Sequence, residues 1–190
     1  MEIITNRLIE DIELIPYSWK KNDFNLKNQY LSWLNDKEVM RLIGSPELEQ
    51  EKDLSFIDQS FIRFTSKTCR GYFIFYKPDK TFIGTTKLDK ISQHSRSAED
   101  GILIGNKKYW GKGFAKKVYI LLLSYAFNEL DLMKIVGGCN ENNIPMVKTF
   151  KSLGYQMEGR LRKADFIDNK FSDHFCFGIF KEEFFKHNKC

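Results

Sequence analysis

The sequence predicts an α/β fold in which a mixed, mostly antiparallel central sheet is flanked by helices. Apolar strands alternate with amphipathic helices, an antiparallel hairpin occupies the first half, and a strand–helix–strand crossover follows it. A glycine-containing turn opens the crossover helix about halfway along the chain rather than after the first strand, which argues against a Rossmann domain. With 190 residues, of which 42% are hydrophobic, the chain suits a single domain over residues 1–190.

The individual elements follow from the spacing of apolar residues. A first strand is predicted over 12–16, a helix over 26–34, and a second helix over about 49–64, where large apolar residues recur three or four positions apart. Strands over 72–76 and 81–88 form a hairpin around Lys77-Pro78-Asp79-Lys80. The remaining predictions are a strand over 98–104, a helix over about 113–128, a buried strand over 134–139, a helix after Asn143, and a closing hairpin over 155–163 and 173–180.

The turn after strand 98–104 is the most informative local feature. Gly111 and Gly113 permit backbone conformations that side chains forbid, and they stand beside the free N–H groups at the start of a helix. The helix dipole adds positive potential at the same place, and so do four neighbouring ammonium groups, those of Lys108, Lys112, Lys116 and Lys117. This combination predicts a binding site for a pyrophosphate or a ribose phosphate.

Two motifs resemble the GNAT superfamily of N-acetyltransferases. The superfamily's pyrophosphate-binding signature is Arg or Gln, two residues, Gly, one residue, then Gly or Ala, and this chain reads Lys-Tyr-Trp-Gly-Lys-Gly over 108–113. Lysine at the first position keeps the charge but loses the planar head of arginine. The run Trp-Gly-Lys-Gly-Phe-Ala over 110–115 is similar to the branch of ribosomal-protein N-terminal acetyltransferases and small-amine acetyltransferases. Downstream, Asn143 opens a segment ending in Leu-Gly-Tyr, similar to the superfamily's Asn-led helix.

The resemblance implies how acetyl-CoA is held. The strands before and after the turn and its helix are expected to splay apart, with pantetheine between them like another strand. Asp100-Gly101 is expected to form a bulge there, because glycine inside a strand often marks a kink. Asn143 fits the superfamily position that hydrogen-bonds the cofactor arm. It also suits a helix N-cap, and these two roles are compatible. The resemblance assigns to acetyl-CoA the backbone of Ile102, Leu103 and Ile104, the turn residues Lys108, Tyr109, Trp110, Gly111, Lys112, Gly113, Phe114 and Ala115, and Asn143.

The implied reaction is attack of a primary amine on the thioester, and the protonated amine needs a base. Glu99, at the start of the strand that holds the thioester, is the predicted base, with a solvated strand-end carboxylate as the alternative interpretation. Asp100 is a second candidate, because neighbouring strand residues point to opposite faces. Phe150 and Met146 occupy the positions where relatives often carry a hydroxyl. Water, or a group from another segment, is therefore expected to protonate the thiolate.

The acceptor is expected to be a small-molecule or peptide amine. Asp173 and His174 lie on the closing hairpin, which in the superfamily forms one wall of the acceptor cleft, and they are predicted to contact the acceptor. A locally hydrogen-bonded imidazole is the alternative role for His174. The sequence slightly favours an amino sugar, including a nucleotide-linked one, over a protein N-terminus. A module that binds acyl-CoA without turnover also stays open, because a side-chain acid is missing.

Charge, apolar runs and cysteine spacing limit the partners, metal sites and cellular location that are expected. The net charge of +5 is modest and no nucleic-acid-binding motif is present, so no nucleic-acid partner is expected. The N-terminus lacks an apolar signal region and the longest apolar run, 118–127, is too short to span a bilayer, so a cytoplasmic protein without a membrane partner is expected. Scattered cysteines and histidines predict neither disulfides nor a metal site. A monomer or a homodimer is expected.

Overall fold

The computed structural model describes residues 1–7, 9–43 and 50–188, and this part of the chain contains eight strands and seven α-helices. The strands are β1 (Ile4–Asn6), β2 (Ile9–Pro16), β3 (Arg70–Tyr76), β4 (Thr81–Ser92), β5 (Ser97–Leu103), β6 (Lys134–Asn140), β7 (Gln156–Ile167) and β8 (Lys170–Phe180). The helices are α1 (Tyr17–Lys20), α2 (Phe24–Leu34), α3 (Lys37–Met40), α4 (Leu54–Arg63), α5 (Phe114–Asn128), α6 (Ile144–Leu153) and α7 (Lys181–Asn188). A short 3-10 helix, Lys107–Tyr109, precedes α5.

The predicted fold class is confirmed. One eight-stranded sheet has the order β1-β2-β3-β4-β5-β6-β8-β7, and its neighbouring strands are antiparallel except for the parallel pair β5–β6. Both predicted hairpins are present, as β3–β4 and β7–β8, with strands longer than expected. Four short elements, β1, α1, α3 and α7, have no counterpart in the sequence prediction, because three to eight residues carry too little apolar periodicity.

Side-chain caps set the starts of the helices on one side of the sheet. The carboxylate of Asp53 accepts a hydrogen bond from the backbone N–H of Phe56 at 2.9 Å, so α4 begins at Leu54. The helix predicted from about residue 49 is therefore shorter than expected, and residue 49 itself lies outside the described residues. Asp23 caps α2 in the same way, through the N–H of Leu26 at 3.1 Å.

The sheet carries a separate apolar core on each face. On one face, α5, α6 and α7 pack against the strands, and the fully buried residues there include Leu122, Phe127 and Phe150. On the other face, α1, α2 and α4 cover the sheet around Tyr17 and Phe73, whose rings stack at 4.3 Å. Because the described helices cover both faces, a gap between separating strands would give a ligand access to the middle of the sheet.

The strands separate between β5 and β6. Their parallel pairing comprises three residue pairs, of which Glu99–Val136 is the last, although β5 continues to Leu103 and β6 to Asn140. The expected splay is therefore present. The bulge expected at Asp100-Gly101 is wrong: Asp100 and Gly101 pair in regular register with β4, and the irregularity lies between Asp89 and Ser92. Gly101 instead leaves room for the Lys87 side chain, because a Cβ added at this glycine would lie 3.0 Å from it.

Candidate active site

A cavity of about 440 Å³ passes through the gap between β5 and β6 and reaches both faces of the sheet. On the side of α1, α2 and α4, its wall is aromatic and apolar, with Tyr17, Tyr30 and Phe64 among the lining residues. On the side of α5 and α6, Tyr119, Asn143 and Met146 line it. Volumes of this size are typical of small-molecule sites. The cavity therefore joins a chamber on each face through the open part of the sheet.

The glycine turn begins just beyond the open end of β5. Gly111 has φ +70° and Gly113 has φ +78°, and Gly113 is the N-cap of α5. A Cβ added at either glycine would meet no atom within 4 Å, so the space over the turn is open. Positive φ and open space are what close approach of an anion to backbone N–H groups requires.

The lysines of the turn divide into paired and unpaired groups. The Nζ atom of Lys108 lies 3.2 Å from the Asp79 carboxylate, and that of Lys117 lies 2.6 Å from Asp11. Lys112 and Lys116 are exposed, and neither forms an ion pair with any residue that the structure describes. These two ammonium groups are therefore the ones most available to an incoming phosphate.

Several turn residues that the sequence assigns to acetyl-CoA have structural side chains. Tyr109 and Phe114 are buried with their rings 5.4 Å apart, and the Tyr109 hydroxyl donates to Asp79 at 2.5 Å, which raises the pKa of Tyr109 to about 12. The indole Nε1 of Trp110 donates to the carbonyl of Ile104 at 2.7 Å. Tyr109 and Phe114 can therefore offer a cofactor only their backbone, and the carbonyl of Ile104 already accepts a hydrogen bond.

The rest of the predicted cofactor contacts lie along the cavity or beside the turn. Ile102 and Leu103 line the cavity at the unpaired edge of β5, and Ala115 follows the turn in the first turn of α5. Asn143 is the N-cap of α6, and its side-chain oxygen accepts from the N–H of Met146 at 3.2 Å. Asn143 therefore caps the helix and also borders the cavity.

Asp100 lies at the point where β5 and β6 begin to separate. Its carboxylate accepts hydrogen bonds from the hydroxyls of Tyr119, at 3.0 Å, and Tyr155. Burial raises the pKa of Asp100 to about 7, and the two tyrosine hydrogen bonds counteract only part of that rise. Gly137 on β6 makes room for this carboxylate, because a Cβ there would lie 2.5 Å from Asp100 Oδ1. Asp100 can therefore hold or release a proton at neutral pH.

Glu99 lies on the opposite face of β5 from Asp100. It pairs across the sheet with Asp89, as Gly101 pairs with Lys87, and these residues share the face covered by α1, α2 and α4. The Glu99 carboxylate accepts from the Lys90 ammonium at 2.7 Å, and Glu99 is not among the residues that line the cavity. Glu99 therefore lies outside the cavity lining, and its carboxylate is engaged with a lysine.

His174 lines the cavity on β8 and is held by a buried network. Its Nδ1 lies 3.0 Å from Oδ2 of Asp165, and the same carboxylate accepts from the Asn140 amide at 2.8 Å. Asp165 therefore engages Nδ1, and Nε2 is left to face other groups. Nε2 points over Gly138, where a Cβ would come within 2.4 Å of it. The arrangement orients the imidazole toward the separated strands.

Asp173 does not line the cavity. Its carboxylate accepts from the backbone N–H of Lys163 at 2.8 Å and from the Nε of Arg160, and these hydrogen bonds lower its pKa. The N–H of Asp173 in turn donates to Glu141 at 2.9 Å. In this arrangement Asp173 fixes the β7–β8 hairpin, and of the two predicted acceptor contacts only His174 borders the cavity.

Comparison with known proteins agrees with this geometry. The family model described as an acetyltransferase (GNAT) domain matches residues 17–156. The chain belongs to the GNAT family. YnaD of Bacillus subtilis (strain 168), an uncharacterised N-acetyltransferase, is 32% identical over 96% of this chain and 99% of its own length.

Two proteins similar to this GNAT chain are spermidine acetyltransferases. Spermidine N(1)-acetyltransferase of Escherichia coli (strain K12) is 29% identical over 75% of the chain and 71% of that protein. The crystal structure of spermidine N-acetyltransferase from Vibrio cholerae, in complex with CoA and spermine, superposes with a TM-score of 0.80 at 21% identity, over 92% of this chain and 98% of that one. The latter likeness is one of fold. The chain spans 62% and 43% of the lengths of two further uncharacterised N-acetyltransferases, from Bacillus licheniformis and Bacillus subtilis.

These findings leave the acceptor, the location and the metal content as predictions. The substrates named among these GNAT relatives are polyamines rather than the amino sugar that the sequence slightly favoured. Among the described residues, none of the helices has the length and apolarity needed to cross a membrane. Within the same residues, no group of three His, Cys, Asp or Glu side chains is arranged to hold a metal ion.

Sequence reasoning did not identify the tyrosines that hold Asp100 or the carboxylate behind His174. Tyr155 was available in the Leu-Gly-Tyr motif, but its hydroxyl reaches a residue 55 positions away. Asp165 stood in the same acidic stretch as Asp173, and nothing in the local pattern distinguished the two. Both assignments depend on tertiary contacts.

Proposed function

We propose that this protein transfers an acetyl group from acetyl-CoA to the primary amine of a small molecule. The observation that carries the proposal is the cavity through the gap between β5 and β6, with an open glycine turn at the start of α5 beside it. Membership of the GNAT family supports the same reaction. A cavity with chambers on both faces suits two substrates that must meet in the middle of the sheet.

The residues around the cavity fit acetyl-CoA. The backbone of Gly111 and Gly113, together with Lys112 and Lys116, would hold the pyrophosphate, because the space over the turn is open and both ammonium groups are exposed. Asn143 would contact the pantetheine arm from the N-terminus of α6. Acetyl-CoA supplies the thioester carbonyl: the amine nitrogen forms a C–N bond to it while the C–S bond breaks and CoA leaves as a thiolate.

Conversion of the protonated amine to an amide releases two protons, of which the CoA thiolate takes up one and solvent receives the other. We propose Glu99 as the group that accepts the amine proton, because it lies close to the end of strand pairing on the face covered by α1, α2 and α4, opposite the helix whose start would hold the cofactor. Release from Lys90 would be needed for this role. Asp100 is the alternative, since its pKa of about 7 suits proton transfer at neutral pH. Phe150 is buried and has no acidic hydrogen. Water, or the group formed by Asp100, Tyr119 and Tyr155, would therefore protonate the thiolate.

The experiment that tests these roles compares Glu99→Gln with Asp100→Asn. If Glu99 is the base, Glu99→Gln lowers turnover by roughly a hundredfold while acetyl-CoA affinity stays nearly intact, because only proton removal is lost. Asp100→Asn is the matched variant on the other face of the same strand. Normal turnover of Glu99→Gln with loss in Asp100→Asn would transfer the role to Asp100, and normal turnover of both would exclude each of them.

The acceptor class is tested by a CoA-release screen over polyamines, amino sugars, nucleotide-linked amino sugars and peptides. The screen includes polyamines because spermidine is the substrate in the names of two relatives, and it includes amino sugars because of the sequence resemblance. Release of CoA with any of these amines supports the proposal. Binding of acetyl-CoA at the turn without release of CoA by any amine would contradict it and would favour a module that binds acyl-CoA without turnover.

A further inference from the structure

The chamber on the side of α1, α2 and α4, where we place the acceptor because the glycine turn opens α5 on the other side, has a positively charged wall without a role in the proposed reaction. Arg63 is the last residue of α4 and Lys87 lies on β4, and both line the cavity. Phe64, between them in space, has the Arg63 guanidinium 5.6 Å and the Lys87 ammonium 5.3 Å from its ring centroid. The two cations are therefore held at one place by an aromatic side chain.

These two cations share a single carboxylate. Arg63 Nη2 lies 2.7 Å and Lys87 Nζ lies 2.9 Å from the same oxygen, Oδ2 of Asp89, which is buried and does not line the cavity. Burial, the largest single influence, would raise the pKa of Asp89, but the hydrogen bond and the charge of Lys87, together with the backbone N–H of Lys90, outweigh it and lower the pKa to about 2. Asp89 is thus ionised at neutral pH. Two positive charges and one negative charge leave the group with a net charge of +1.

Nothing else on this wall reverses that sign among the residues that the structure describes. The neighbouring Lys90 and Glu99 form a pair of opposite charges at 2.7 Å. Asp100 is the one carboxylate among the described lining residues, and it lies on the other face, bound by two tyrosines. A polycation entering this chamber would meet these two cations, and the described residues of the wall offer no carboxylate to pair with it, at a cost in binding free energy.

We propose that the acceptor is a small amine whose body carries an anionic group, a phosphate or a carboxylate, which Arg63 and Lys87 bind. The inference rests on the proposed function. The guanidinium has five N–H donors, and the structure engages Nη2 with Asp89, so donors remain for an incoming oxyanion. The amine end then points toward the separated strands, where His174 and the strand-edge groups lie. The bound anionic group would fix the orientation of the acceptor, and the apolar side chains of the chamber would contact the rest of it.

Calorimetry on the CoA-saturated protein tests the inference by binding alone. The probes are two matched pairs that differ in the anion, glucosamine 6-phosphate against glucosamine and phenylalanine against phenethylamine, with spermidine as the polycation. We expect the anionic member of at least one pair to bind at least tenfold more tightly than its partner and more tightly than spermidine. The pair that shows the preference distinguishes phosphate from carboxylate. Equal binding within both pairs, tighter binding of spermidine, or no binding of any probe overturns the inference.

Charge-removing variants locate the effect. Lys87→Gln and Arg63→Gln are each expected to reduce the preference at least fivefold, and added salt is expected to weaken the binding of the anionic probe more than that of its neutral-bodied partner. Arg96→Gln is the matched control, because Arg96 forms an ion pair with Asp131 outside the cavity. An unchanged preference in both test variants, with folding verified by circular dichroism, would also overturn the inference. Turnover is measured separately: a binding preference without CoA release would refute the proposed function while leaving the anion site in place.

Discussion

Asp100 makes the stability of this protein depend on pH in a way that one substitution can isolate. Its pKa rises from an ordinary 3.8 to about 7 in the folded state, and burial is the main cause. Between these two values the unfolded chain loses the proton while the folded chain keeps it, so the free energy of unfolding falls as pH rises. The difference corresponds to about 4 kcal/mol at 25 °C, because each tenfold change in proton affinity is worth about 1.36 kcal/mol.

The perturbation is Asp100→Asn, which removes the ionisation and keeps a side chain of the same shape. Urea unfolding of both proteins is measured from pH 4 to pH 8. The amide changes the hydrogen bonds with Tyr119 and Tyr155, but this contribution is independent of the ionisation of Asp100 and appears as a constant offset. We expect the stability of the variant relative to the wild type to increase by about 4 kcal/mol between pH 4 and pH 7.5 and then to level off.

A stability difference that does not change with pH would refute this reasoning, because it would mean that Asp100 ionises as readily in the folded chain as in the unfolded one. Tyr155→Phe supplies a second measurement. The hydroxyl of Tyr155 lowers the pKa of Asp100, so its removal should shift the plateau to higher pH. A shift to lower pH would contradict the assigned hydrogen bond.

Three further predictions concern binding and turnover. Gly111→Val should weaken acetyl-CoA binding at least tenfold, about 1.4 kcal/mol, because φ is +70° there and the side chain would fill the open space over the turn. Unchanged affinity in calorimetry on a folded variant would contradict the proposed pyrophosphate site at the glycine turn. Phe150→Tyr should raise steady-state turnover no more than a few-fold, since a CoA thiolate leaves readily, and a gain of tenfold or more would show that protonation limits the rate. Asp165→Asn should raise the KM for the amine at least tenfold while acetyl-CoA affinity stays unchanged, because His174, a predicted acceptor contact, loses the carboxylate that orients it; an unchanged KM would leave His174 a structural residue.

The parts of the site that the sequence could predict are those that depend on local backbone chemistry. Gly111 and Gly113 have positive φ because a turn at the start of α5 requires it, and glycine is the residue that adopts this conformation at least cost. The strand–turn–helix order follows from apolar periodicity and needs no tertiary information. The same holds for Asn143, whose place before an apolar helical segment predicts a cap.

The parts that could not be predicted depend on register. Alternation along β5 shows that Glu99 and Asp100 face opposite ways, but which of them borders the cavity is decided by tyrosines on α5 and after α6. On the closing hairpin, the register between β7 and β8 shifts between Leu161 and Asp165, and this places Asp165 behind His174. A shift of this kind leaves no signal in the spacing of apolar residues.

The short parallel pairing has a consequence for the cooperativity of the whole molecule. The strands β1–β5 and β6–β8 are joined across the sheet by three residue pairs, the last of them Glu99–Val136, so the backbone amides beyond that pair lack a partner strand across the gap. A pantetheine arm seated there would act as a ninth strand that joins the two parts of the sheet. Amide hydrogen exchange along 100–103 and 137–140 should then slow when CoA is added, and the thermal transition should become both higher and sharper. The cosubstrate would in this way complete the fold that binds it.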